Sequence, residues 1–154
     1  MTILKTFVFT LIVPGTFAGL VPYFVVTRFS SGDFGNHSFV RIIGIFLFAI
    51  GVSIYLWCAW EFARAHGTPA PIDPPKELVV KGLYRFTRNP MYIGVLCILL
   101  GESMFFASVA LLLYAGFMLI VFELFITLYE EKTLTGVFGE AYIQYRNRVP
   151  RWFF

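Results

Sequence analysis

Two polar stretches interrupt an otherwise apolar chain, and both carry residue types suited to holding a charged ligand. The first is Arg85-Phe-Thr-Arg-Asn-Pro90. Asn is a favoured helix N-cap and Pro a favoured first helical residue, so a helix should start at Pro90. Its first turn would present unpaired N–H groups and the positive end of the helix dipole. With Arg85 and Arg88 just ahead, that geometry suits a carboxylate or a phosphate. A plain capped helix whose arginines touch lipid phosphates would read the same way. The second stretch is Glu130–Glu131. Glu123, Thr127, Glu130, Glu131 and Leu134 recur at helical spacing and should share one stripe. Carboxylates there can accept from a ribose diol or pair with an ammonium, and interfacial salt bridges are the plainer alternative.

Glu102 and Glu123 fall inside apolar runs, where a mid-membrane carboxylate costs about 2.5–3.5 kcal/mol and normally faces a bundle interior. Glu123 is expected to line the lower part of a pocket, and Glu102 to reach water near a far turn. Tyr142 and Tyr145, at i and i+3, should share a face. They would form an aromatic wall over the site or an interfacial anchor. Cys58 and Cys97 sit in apolar runs without CxxC or Cys/His spacing, so neither a disulfide nor a metal site is expected.

The elements that must position these groups follow from composition. Of 154 residues 58% are hydrophobic and 14% charged, with a mean hydropathy of +0.77. Soluble domains run nearer 45–50% and about 25%, so lipid is the expected solvent. Apolar runs at Ile3–Val26, kinked at Pro14–Gly15, and at Phe39–Trp60 are expected to span. The first outruns a cleavable signal and is read as retained. Gly44 and Gly51, a heptad apart, should let another helix approach closely. The run Met91–Tyr129 should fold as a hairpin of Met91–Phe106 and Val109–Tyr129, its first arm only about 24 Å long.

The expected fold is all-α: a polytopic membrane protein of about four transmembrane helices, with a C-terminal hairpin and an interfacial C-terminal helix. It divides as one domain into two spans (1–60), a loop (61–90), the hairpin (91–129) and a tail (130–154). Lys and Arg gather in the loop and the tail, which places the loop and both termini in the cytoplasm. Thr68–Pro75, rich in proline, would be a stiff spacer or a lid.

Gly82-Leu-Tyr-Arg-Phe-Thr-Arg-Asn-Pro-Met-Tyr-Ile-Gly94 resembles a segment of the isoprenylcysteine carboxyl methyltransferase and phospholipid methyltransferase superfamily. Glu130–Tyr145 followed by Arg148-Val-Pro-Arg151 resembles its C-terminal segment, in order and across the same hairpin. The resemblance covers roughly residues 69–151 and implies an integral membrane, S-adenosylmethionine-dependent methyltransferase. By motif position, cofactor contacts fall at Leu78, Val79, Tyr84, Asn89, Pro90, Met91, Tyr92 and Glu130. Tyr142 and Tyr145 would close the pocket, and Arg88, Glu131 and Glu123 are the candidate catalytic groups. Two positions depart from the prenylcysteine enzymes: Asn89 replaces a His, and Ile126 replaces an Arg expected to hold a substrate carboxylate.

Methyl transfer from a sulfonium is a direct displacement that relies on proximity and alignment. An amine acceptor must be neutral, and Glu123 or Glu131 would take its proton. The acceptor class, whether a lipophilic carboxylate, amine or thiol, stays open. The alternatives are a sterol or steroid reductase using NADPH, and a small four-helix transporter or non-catalytic membrane subunit. No nucleic acid partner is expected.

Overall fold

A computed structural model describes residues 14–29, 38–65 and 78–152. The first half of the expected first span and the proline-rich stretch lie outside them. Among the described residues the fold is all-α. Helix α1 (Val21–Arg28) follows a π-helical turn, Thr16–Leu20, placed directly after Pro14–Gly15. Helix α2 covers Ser38–Arg64, extending the expected span by one turn at its C-terminal end. After a 3-10 turn at Gly82–Arg85, α3 runs over Pro90–Phe105 and α4 over Val109–Phe125. A second π-turn, Ile126–Glu130, leads into α5 (Glu131–Phe138), and α6 is Glu140–Arg148.

The expected hairpin forms. Its turn is made by Phe106 and Ala107, and Ser108 caps α4 by accepting from Leu111 N–H at 3.3 Å. The second arm departs from expectation, because the helix does not end at Tyr129 but continues to Phe138. No proline interrupts that stretch. The stop falls at Gly139, whose φ of +54° only glycine adopts without strain.

Helices α2 and α3 pack closest. A Cβ on Gly51 would stand 2.6 Å from the Gly94 carbonyl, and one on Gly44 would stand 2.7 Å from the Gly101 carbonyl. Each helix therefore contributes two glycines seven residues apart, and backbone meets backbone at both levels. Tyr55, Val95, Leu99, Ala115 and Met118 form the core between α2, α3 and α4. The outer faces stay apolar: Phe46 is 66% and Leu113 70% exposed. Such faces are stable against hydrocarbon rather than water. Both α2 and the continuous helix 109–138 are long and apolar enough to cross a bilayer, while α3 is shorter.

Gly51→Ala is expected to destabilise the chain by about 1–3 kcal/mol, since the contact atoms are backbone and cannot rotate away. Gly116, with nothing within 4 Å of a Cβ, provides the control. Gly116→Ala should be neutral or stabilise by up to about 1 kcal/mol. Thermal unfolding of both variants in detergent measures the difference.

Candidate functional site

The site is built where the chain enters α3. Gly82, with φ +58°, turns the backbone so that Tyr84 is buried edge-on against Phe62, centroids 5.7 Å apart. The Tyr84 hydroxyl meets the Cys58 thiol, and its carbonyl accepts from the Tyr145 hydroxyl at 2.8 Å. Burial, with the neighbouring thiol, pushes the Tyr84 phenol well above its ordinary range, so it stays protonated. Burial likewise raises Tyr142 and Tyr145, although Arg88 opposes it at both.

The following residues meet the C-terminal tail. Arg88 N–H donates to the Pro150 carbonyl at 3.0 Å. The Arg151 carbonyl accepts from the Thr87 hydroxyl at 2.9 Å and from the Asn89 amide at 3.1 Å. One sequence expectation is corrected here. Asn89 occupies the N-cap position, but its side chain makes no cap bond. The tail lies close enough to take its amide donor instead. The first turn of α3 keeps its N–H groups uncapped by that side chain.

Three carboxylates approach this start of α3, in two different states. Glu131 Oε1 accepts from Arg88 Nη1 at 2.8 Å and from Arg151 Nε at 3.0 Å. Glu123 Oε1 pairs with Arg151 Nη1, and its Oε2 accepts from Trp152 Nε1 at 2.9 Å. Burial lowers the Arg151 pKa, but the two carboxylates outweigh it and the net shift is upward. Glu130 differs: its Oε2 accepts from the Tyr92 hydroxyl at 2.7 Å, and among the described residues no cation pairs with it. Adjacent helical residues point about 100° apart, so Glu130, the last residue of the π-turn, meets Tyr92 while Glu131, the first of α5, meets the two arginines.

Arg88, Asn89, Tyr92, Glu123, Glu130 and Glu131 are thus gathered at one end of the hairpin, with Tyr142 against Arg88 and Tyr145 against Tyr84. Pro90 is buried at the head of α3, and Met91 packs on the core. Leu78 and Val79 lie half-buried in the extended stretch before the turn, while Arg85 is exposed and joins none of these pairs. Glu102 does not simply reach water: its Oε2 is buried on α3, with no hydrogen-bond partner among the described residues. Thr87, Arg151 and Trp152 were not anticipated as site residues. Thr87 lies within the Gly82–Gly94 segment and Arg151 ends the Arg-Val-Pro-Arg pattern, which Trp152 follows; that tail reads equally as a headgroup anchor.

Lipid-facing helices with a dense polar cluster at one end of a helical hairpin define a class of all-α membrane proteins. Within that class the chain belongs to the phospholipid methyltransferase family, whose model matches residues 39–141. It is also 38% identical over 74 residues to the protein-S-isoprenylcysteine O-methyltransferase of Schizosaccharomyces pombe. That match covers 47% of this chain but only 31% of the yeast protein. No solved structure matches the chain significantly.

Proposed function

We propose that the chain is an integral membrane, S-adenosylmethionine-dependent methyltransferase acting on a lipophilic acceptor, with its polar end in the cytoplasm. The observation that carries this reading is the unequal use of three neighbouring carboxylates. Glu123 and Glu131 are neutralised by arginine, whereas among the described residues Glu130 has the Tyr92 phenol and no cation beside it. A bound cation would be its charge partner.

The donor set fits the cofactor. Glu130 would face its cationic amino-acid portion, and the N–H groups of Met91 and Tyr92 would meet its carboxylate. Tyr84, Tyr142 and Tyr145, kept as neutral phenols, would wall the nucleoside together with Leu78 and Val79. When bound, the cofactor supplies an electrophilic methyl group. The chain's own contribution is alignment: Arg88 and Arg151 hold Glu131, and through the tail they hold Asn89.

The acceptor can be a carboxylate, amine or thiol. Ile126 is fully buried, so it offers an acceptor carboxylate neither charge nor access. If the acceptor is an amine, Glu123 is suited to take its proton, being the more exposed of the two arginine-bound carboxylates (41% against 11%).

Calorimetry with S-adenosylhomocysteine and with NADPH tests the cofactor. Binding of the first alone is expected, and binding of NADPH alone would replace this reading with a reductase. Incubation with methyl-labelled cofactor and a total lipid extract then identifies the acceptor by its label.

A further inference from the structure

The C-terminal end of α2 reaches past the start of α3. The two helices run antiparallel, with Gly44 level with Gly101 and Gly51 level with Gly94. Gly94 lies one turn into α3, so the last turns of α2 overhang Pro90 and stand beside the Gly82–Arg85 turn. There a Cβ on Gly82 would meet the Trp57 indole Nε1 at 3.1 Å and the Glu61 carboxylate at 3.8 Å. The buried seam of α2 continues into this overhang. Gly51, Tyr55 and Cys58 are buried, and Phe62 follows Cys58 at i+4 on the same stripe.

The turn beside them does not hold its own position. It is four residues long, far too short for a helical segment to be stable alone. Tyr84 is its one buried side chain, whereas Arg85 and the following Phe86 are exposed. Whatever holds Tyr84 therefore holds the turn. The grip comes from two sides. On the α2 side, the Phe62 ring meets the Tyr84 ring at 88°, centroids 5.7 Å apart, and the fully buried Cys58 thiol meets its hydroxyl. On the α6 side, the Tyr145 hydroxyl donates to the Tyr84 carbonyl at 2.8 Å.

We propose that Phe62 and Cys58 are positioning residues for the cofactor, fixing the angle of the Tyr84 ring and with it the Gly82–Arg85 turn at the nucleoside wall. This role rests on the cofactor reading above and extends the site to a helix that supplies none of its proposed contacts. Both residues act through Tyr84. Leucine at position 62 fills part of the same space but offers no ring edge, so the Tyr84 ring loses the contact that orients it.

The test is calorimetry with S-adenosylhomocysteine on the full chain in detergent, at a temperature where every variant is folded. Phe62→Leu is expected to weaken binding about two- to tenfold, the worth of an edge-to-face ring pair. Phe62→Tyr keeps the ring and should stay within about twofold of the unmodified chain. Cys58→Ala removes the partner of the Tyr84 hydroxyl and should weaken binding about two- to fivefold. A Phe62→Leu protein with a lower unfolding temperature but its original affinity overturns the proposal for Phe62, because the ring then only supports the fold. So does an equal loss in Phe62→Tyr. Unchanged affinity in Cys58→Ala overturns the role of the thiol, and it decides the question alone if Phe62→Leu does not fold. An unmodified chain that binds no S-adenosylhomocysteine overturns the cofactor reading and this role together, whereas full affinity in Phe62→Leu and Cys58→Ala overturns this role only.

Discussion

Replacing Glu130 with Gln should weaken binding of S-adenosylhomocysteine roughly ten- to hundredfold, the loss expected when a charged hydrogen-bonding partner becomes neutral. The amide keeps nearly the same volume, and Tyr92 can still donate to its oxygen, so the fold should persist. Tyr92→Phe removes a single hydroxyl contact to Glu130 and should cost about tenfold at most. Calorimetry on the two variants separates the roles. Unchanged affinity in Glu130→Gln would show that the cofactor lies elsewhere. An equal loss in both would mean that the Tyr92 bond, rather than the charge, is what matters.

The second large effect is expected at Arg151. Its guanidinium joins Glu123 to Glu131, and its carbonyl holds Thr87 and Asn89. Arg151→Gln leaves Glu131 with Arg88 alone and Glu123 with Trp152 and Thr127. Breaking a fully buried pair costs about 3–5 kcal/mol. Arg151 is 27% exposed and Glu123 41%, so solvent screening reduces this to about 1–3 kcal/mol.

The functional loss should exceed what stability alone explains, because the released tail no longer orients Asn89. A rise in KM for the cofactor at a temperature where the variant is fully folded is the diagnostic result. Glu123→Gln should cost less, since Arg151 keeps its bond to Glu131. Denaturation curves with cofactor titrations on both variants measure this. An Arg151→Gln protein with the original KM would reduce the arginine to a purely structural clamp.

Much of this arrangement was legible in residue order. Asn89–Pro90 marked the start of α3, Gly44 and Gly51 marked a close helix contact, and the break near Ala107–Ser108 marked the hairpin turn. These signals are local: a cap, a heptad and a loss of apolar periodicity each lie within a few residues. The Asn89 side chain was misread because its partner, the Arg151 carbonyl, is 62 residues away. The last helix outruns the expected Tyr129 because helical backbone runs on through the Glu130–Glu131 pair to Phe138, where Gly139 stops it.

By itself the sequence determined that this is an all-α chain suited to lipid, turned back on itself, with most of its ionisable groups, Glu102 and Glu123 apart, outside the apolar runs. Composition and helical periodicity suffice for that, since the cost of placing charge or unpaired backbone in hydrocarbon leaves few other solutions. Only the tertiary structure decided which carboxylate remains available. Glu130 and Glu131 are identical in type and adjacent in order. Arg88 and, from the far end of the chain, Arg151 neutralise one, while the other lies beside a phenol. Helix register and long-range ion pairing are set by packing, which no local spacing records.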